Sequence, residues 1–224
     1  SVSMTTQPRQ FDLIAFDWDG TLADSTAIIT HCIQAAALDV CGVQPSDEDA
    51  SYVIGMGLVQ ALRHAVPQLS PDDYPRMAER YKFHYSKHAN DIFLFKGVET
   101  MLNSLKAKQH ILTVATGKGR KGLDDVLSSV ALHGFFDGSR TADQTASKPN
   151  PLMLYELMEE FNVPPERTLM IGDTTHDLGM AQNAGCACVG VSYGAHDHES
   201  FEEFKPLYVA HSVAELQQWL EIYA

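Results

Sequence analysis

The chain has 224 residues, 45% of them hydrophobic and 20% charged, which is enough apolar material for one sizeable core and too much for a disordered chain. Its 29 acidic and 16 basic residues give a formal charge of −13, which argues against nucleic acid or an anionic membrane as a partner and means that a phosphorylated ligand needs locally placed cations. No apolar run approaches the ~18 residues of a membrane span, and the length fits one or two domains.

The first ten residues, SVSMTTQPRQ, are polar and carry no apolar stretch of a secretory signal; Met4 reads as the natural start. Residues 11–16 (FDLIAF) form a short apolar run that predicts a buried strand. It runs into Asp17-Trp18-Asp19-Gly20-Thr21. Two carboxylates two residues apart at a strand end, with a glycine to turn the backbone, can converge on one hard cation such as Mg²⁺, and one of them can attack phosphorus. The plain alternative is a surface D-x-D in an acidic protein.

Residues 25–92 predict three or four helices and no strand, an insert between the first strand and the rest of the sheet, with hinges at 20–25 and 93–97. Within it, Gly55-Met56-Gly57 is either a turn between helices or a place where backbone approaches a ligand closely. Arg63 is a candidate cation of the insert. His84 and His88, four apart, lack the carboxylate of an H-E-x-x-H motif and read as an exposed helix face.

Beyond the insert, Val98, Met101, Leu102 and Leu105 recur at helical spacing, and 110–116 (HILTVAT) predicts a second strand. That strand ends in Thr116-Gly117, where a hydroxyl and successive N–H groups could cradle a phosphate. Lys148-Pro149 precedes a helical pattern over 152–161 and would fix a cation near a phosphoryl group; many lysines are plain solvated groups. The strand at 168–173 ends in Asp173, a second candidate metal ligand. Asp177, four residues on, lies in the first turn of the next helix, where it could orient the metal's waters or a lysine, or simply compensate the helix dipole. A further strand at 186–192, a loop at 195–199 read as solvated, and a last helix at 213–220 behind Ser212 complete the chain. The four cysteines, Cys32, Cys41, Cys186 and Cys188, match neither zinc-ribbon nor C-x-x-C spacing and read as reduced thiols of a cytoplasmic protein.

Strands alternating with helices predict an α/β fold, a doubly wound and mostly parallel sheet with its ligand at the carboxyl ends of the strands. The division is a core of 1–24 and 93–224 around an all-helical domain of 25–92.

Four pieces in order carry a resemblance: D-W-D-G-T, a strand ending in Thr, a Lys-Pro before a helix, and Gly172-Asp173-x-x-x-Asp177. From Phe11 onward the chain resembles the haloacid dehalogenase superfamily of phosphohydrolases, and within it the phosphoglycolate phosphatase-like branch, whose helical cap follows the first motif. The resemblance implies an Mg²⁺-dependent phosphatase for a small phosphorylated metabolite, monomeric or weakly homo-oligomeric, acting through an aspartyl-phosphate. It implies Asp17 as nucleophile and metal ligand, and Asp19 as general acid/base that also binds metal through its backbone carbonyl. Thr116 and the Gly117 N–H would hold phosphate oxygens, Lys148 would stabilise the transferring group, Asp173 would bind Mg²⁺ and Asp177 would support. Gly55-Met56-Gly57 resembles the substrate-specificity loop of capped relatives. Two departures stand out: Gly117 occupies a position that is Asn in many relatives, and Trp18 is bulky for the first motif, so its side chain should point away from the site. The dehalogenases lack an aspartate at the Asp19 position, so its presence favours phosphoryl chemistry. A sugar-phosphate mutase of the same superfamily and a non-catalytic phosphoacceptor remain as alternatives; the latter should lack both the cap and Asp19.

Overall fold

The computed structural model describes residues 8–224, so the reading of Met4 as a start lies outside it. Its centre is a six-stranded sheet of β1 (Leu13–Phe16), β2 (Ile111–Thr116), β3 (Gly138–Thr141), β4 (Thr168–Gly172), β5 (Ala187–Val191) and β6 (Val209–Ala210), in the order β3-β2-β1-β4-β5-β6. Every pairing is parallel, stricter than the mostly parallel sheet expected.

The strand residues alternate between two buried faces, as a period of two requires. Ile14 and Phe16 share one apolar cluster with Val98, Met101, Leu102 and Leu105 of α5 (Val98–Ala107), with Leu123 and Leu127 of α6 (Arg120–Ser129), and with Leu216 and Leu220 of α9 (Val213–Tyr223). Leu13 and Ala15 share the other with Met153, Leu154 and Leu157 of α7 (Leu152–Phe161) and with Leu178 and Ala181 of α8 (Thr175–Ala184). Helices on both faces make the sheet doubly wound.

From β1 the chain runs on toward β2 and β3; from β4 it runs the other way, to β5 and β6. The β1/β4 boundary is therefore the topological switch point, where such sheets open a crevice beyond the strand ends. Register aligns those ends: Phe16 pairs with both Val114 and Ile171, and the Asp17 N–H donates to the Ile171 carbonyl at 2.9 Å. Asp17, Thr116 and Asp173 thus emerge along one rim.

Four helices form the insert between β1 and α5: α1 (Thr26–Cys41), α2 (Asp47–Tyr52), α3 (Leu58–Ala65) and α4 (Tyr74–His88). They bury a cluster of their own, including Ile29, Ile33, Val53, Ile54, Leu62, Val66 and Met77. Gly42, at φ 71°, ends α1 in the left-handed conformation that favours glycine.

Two strands were not expected. β3 reads GSRT, with no apolar residue to signal it, and β6 has two residues. α6, reading RKGLDDVLSS, was also missed, because it buries only Leu123 and Leu127. Trp18 points away from the rim as expected, buried in the α5 face of the core with its ring 6.5 Å from that of Phe136. Among the described residues, no helix is long and apolar enough to cross a membrane. All four cysteines are free thiols; Cys32, Cys186 and Cys188 are buried, and burial raises their pKa, to about 11, 12 and 12.

Candidate active site

Asp17 leaves β1 fully enclosed. Its Oδ1 accepts a hydrogen bond from its neighbour's N–H, that of Trp18, at 2.7 Å and lies 3.0 Å from Lys148 Nζ. Its Oδ2 is buried with no hydrogen-bond partner, the only such side-chain atom among the described residues. A buried carboxylate oxygen without a donor is costly unless something else meets it. Burial, with Asp177 close by, drives the Asp17 pKa well above the usual carboxylate value, and Lys148 opposes that rise.

Lys148 donates to Asp177 Oδ1 at 2.7 Å, and its side chain is wholly inaccessible. Burial works against its charge, but the carboxylates of Asp17 and Asp177 outweigh that cost and hold its pKa well above that of an ordinary lysine. It is therefore a permanent ammonium. Asp177 has a second duty. Its Oδ2 accepts from the Thr174 N–H at 3.2 Å and the Thr174 hydroxyl at 3.0 Å, while Thr174 Oγ1 accepts from the Asp177 N–H, which closes a capping box on α8. Asp177 thus orients a lysine and also stands as a carboxylate in the first turn of α8, where it meets the helix dipole, so the two readings of the sequence coexist. Burial penalises the Asp177 charge, yet Lys148 pulls its pKa below the usual value.

Asp173 accepts from Thr21 Oγ1 at 3.0 Å through Oδ1 and from the Ala195 N–H at 2.8 Å through Oδ2. Burial first, then the nearby Asp177 charge, raises its pKa to about 7. The first motif reaches it directly: Gly20 has φ +81°, and a Cβ there would overlap the Asp173 carboxylate. Thr21 and Gly20 thus serve Asp173 as well as the turn.

Asp17, Asp173 and Asp177 each offer a carboxylate oxygen, all within 4.8 Å of one another. Three buried carboxylates against one ammonium leave an excess of negative charge, and the unpartnered Asp17 Oδ2 lies among them. Both features fit a hard divalent cation with oxygen ligands. Asp17 and Asp173 are the better-suited pair, because Asp177 already spends both oxygens on Lys148 and Thr174.

Asp19 faces a different side. Its Oδ1 accepts from Ser25 Oγ at 2.7 Å, and its Oδ2 lies 3.3 Å from Lys118 Nζ. Thr116 Oγ1 accepts from the Lys118 N–H at 3.1 Å. Gly117 is accounted for by the insert: a Cβ at Gly117 would overlap the Gly55 carbonyl, so the Asn found in relatives has no room in this conformation. The Gly55-Met56-Gly57 loop covers the rim. The position of a Cβ on Gly55 is 3.7 Å from Asp17 Oδ2, and the Gly57 N–H donates to Ser147 Oγ at 2.9 Å.

A second link from insert to sheet was missed in the sequence. The Tyr52 carbonyl at the end of α2 accepts from His176 Nε2 at 2.6 Å and His196 Nε2 at 2.8 Å. His196 Nδ1 accepts from the Thr175 N–H at 3.0 Å, which leaves the proton on Nε2. Its ring stacks on that of Tyr52 at 5.1 Å. The 195–199 loop is therefore not simply solvated: Ala195 and His196 are pinned at the site, and only Asp197, His198 and Glu199 are exposed. Burial lowers the pKa of both histidines, that of His176 to about 4, so both are neutral near pH 7. Neither histidine belongs to a periodic pattern; their shared partner exists only once the insert is docked.

Arg63 is exposed on α3. His84 pairs with Asp39 at 2.6 Å beside Arg80, and His88 lies against His31 at 5.6 Å between ring centroids; neither belongs to a metal-ligand cluster among the described residues.

Residues 14–191 match the haloacid dehalogenase-like hydrolase family. A phosphoglycolate phosphatase of Pasteurella multocida is 31% identical over 222 residues, covering 95% of this chain and 99% of its own. One from Vibrio vulnificus is 33% identical, covering 93% and 95%. The solved structure of a predicted phosphoglycolate phosphatase from Haemophilus somnus superposes with a TM-score of 0.81 at 28% identity, over 95% of this chain and 99% of that one. A Pseudomonas syringae hydrolase, at 23% identity and TM-score 0.86, shares the fold. With the match spanning most of the chain and the motif carboxylates gathered at the switch point of the sheet, the chain belongs to the haloacid dehalogenase-like hydrolases.

Proposed function

We propose that the protein is a phosphatase for a small phosphate monoester, with phosphoglycolate the first candidate because the curated relatives carry that name. The observation that carries the reading is Asp17: a buried carboxylate with one oxygen fixed by Trp18 and Lys148 and the other unpartnered. The Asp17 carboxylate, held in place by Trp18 and Lys148, is the group assigned to in-line attack on phosphorus. Mg²⁺, bound by Asp17, Asp173 and the Asp19 backbone carbonyl, would supply charge neutralisation at the phosphoryl oxygens.

The chain's own residues do the rest. Lys148, held by Asp17 and Asp177, faces the developing phosphoryl charge with no reorganisation needed. Thr116 and the Gly117 N–H take phosphoryl oxygens at the end of β2. Asp19 gives a proton to the leaving alcohol as the P–O bond breaks, then takes one from the water that cleaves the aspartyl-phosphate, which returns Asp17 and releases phosphate. The helices between the hinges act as a cap, and the Gly55-Met56-Gly57 loop excludes bulk water from the intermediate. Buried reduced thiols suit a cytoplasmic location.

A phosphate-release screen over small metabolite monoesters with Mg²⁺, run beside a coupled assay for isomerised sugar phosphate, tests the reading. Free phosphate, greatest from phosphoglycolate, is expected. Isomer formation without phosphate release would replace it with a mutase.

A further inference from the structure

Nine lysines occur in the chain, and all but Lys148 and Lys118 are exposed. Lys148 belongs to the phosphoryl site. Lys118 sits two residues past the end of β2, tied to Thr116 through its N–H, with its side chain only 12% exposed. Its Nζ lies 3.3 Å from Asp19 Oδ2 and 5.0 Å from the centroid of the Tyr85 ring on α4. Tyr81, one turn earlier on α4, stacks toward Tyr85 at 6.0 Å. Burial opposes the Lys118 charge, but Asp19 and Tyr85 outweigh that penalty and hold its pKa above the usual lysine value. This is a charged ammonium enclosed between the sheet rim and the insert.

Asp19 is the group assigned above to the leaving oxygen, so that oxygen must come within hydrogen-bonding distance of it. Lys118 then adjoins the first atoms of the leaving alcohol. A carboxylate on the carbon that bears the ester oxygen places its own oxygens about 3 Å from that ester oxygen. Such a group can meet Lys118 while the ester oxygen meets Asp19. The Lys118 ammonium is paired with one carboxylate, Asp19, so a substrate carboxylate of the same charge can take that place, whereas a second phosphate would bring nearly two negative charges.

We propose that Lys118 is a specificity-determining residue: its ammonium exchanges Asp19 for a carboxylate on the leaving alcohol, so that the site selects phosphate esters of hydroxy acids over those of neutral alcohols. This rests on the phosphatase reading. Selection has two parts. The carboxylate gains an ion pair under Tyr85, and Asp19, released from the ammonium, takes a proton from solvent and passes it to the leaving oxygen. A neutral alcohol leaves Asp19 tied to Lys118, so discrimination falls on kcat as well as KM.

The test compares kcat/KM for 2-phosphoglycolate with that for 2-hydroxyethyl phosphate, its neutral counterpart, in the wild type, Lys118→Met and Lys118→Arg with Mg²⁺. The wild type is expected to favour the carboxylate ester roughly 10- to 100-fold, the worth of one charge-assisted hydrogen bond. Lys118→Met should bring the ratio to within about threefold, and Lys118→Arg should keep most of it. Lys118→Gln replaces Lys118→Met if that variant does not fold. A preference that survives in Lys118→Met or Lys118→Gln, or a wild type that releases phosphate equally from both esters, overturns the proposal and leaves the phosphatase reading standing. If no monoester is turned over, the phosphatase reading fails. The same pair is then compared by calorimetric affinity, where loss of the preference in Lys118→Met supports the anion site and its persistence overturns it.

Discussion

The rim of the sheet and the insert above it are built on different principles. At the rim, the charged side chains are braced by several partners: Lys148 is shared by Asp17 and Asp177, Asp177 also caps α8, and Asp173 is held by Thr21 and Ala195. The insert meets the rim through separate contacts that include Gly55 against Gly117, Gly57 on Ser147, Ser25 on Asp19, Tyr52 on two histidines, and Tyr85 over Lys118. A densely cross-braced rim suits groups that must not move while charge develops on phosphorus. Separable contacts suit the cap role proposed for the insert, which would open to admit substrate.

Breaking the rim should cost most. Asp17→Asn keeps the shape and removes the proposed nucleophile, and phosphate release is expected to fall to background in a steady-state assay. Lys148→Ala should lower kcat roughly 10²- to 10³-fold, the range for loss of one preorganised electrostatic stabiliser; circular dichroism would show whether the fold persists. EDTA should silence the enzyme and Mg²⁺ restore it, with excess Ca²⁺ inhibitory because its looser coordination misplaces Asp17. Activity that survives rigorous chelation contradicts the carboxylate assignment.

Disturbing the insert should cost less. Gly117→Asn forces a side chain onto the Gly55 carbonyl and should displace the loop, lowering kcat/KM about tenfold or more. Limited proteolysis should then cut within 42–57 faster than in the wild type, while the sheet stays resistant.

The smallest effect concerns stability and pH. In the metal-free protein the Asp173 pKa of about 7 lies above its ordinary value of 3.8, so the folded state holds a proton there that the unfolded state has lost. That contribution is full below pH 3.8 and disappears as pH rises through about 7. His176, lowered to about 4 from 6.5, acts in the opposite sense, losing its contribution as pH falls. The difference between melts with and without Mg²⁺ cancels the histidine and leaves the two carboxylates proposed to bind the metal, Asp17 and Asp173, both raised above the usual value. The Mg²⁺-dependent rise in Tm should grow as pH rises from about 4 through about 7, as these carboxylates lose their protons. A rise independent of pH would place the metal elsewhere.

The same contrast decides what could be read from the sequence. β1, β2, β4 and β5 are continuous apolar runs because both faces of a parallel strand are buried, and the catalytic candidates follow directly from where those runs stop. Asp17, Thr116 and Asp173 needed only their position past a strand end. Lys118, His176 and His196 gave no comparable signal, since Tyr52 and Tyr85 come to them through the docking of distant helices and Asp19 reaches Lys118 from the end of the neighbouring strand. Lys118 had one local cue, its place in the Thr116 turn. Gly117 read as a departure from the Asn of many relatives, and it is the docked Gly55 loop that explains it.

The division of labour between the two aspartates of the first motif is the centre of this account, and Asp19→Ala tests it most directly. With an aryl phosphate and Mg²⁺, a good leaving group needs little protonation, so attack by Asp17 should survive. Water attack on the aspartyl-phosphate still needs the base, whose role is typically worth ~10²–10⁴ per step. Rapid quench should show a burst of at most one equivalent of phenol per protein, followed by a stall, with phosphate retained on Asp17 by peptide mass spectrometry. No burst and no labelled protein while Mg²⁺ still binds, or a burst from Asp17→Asn instead, would contradict it.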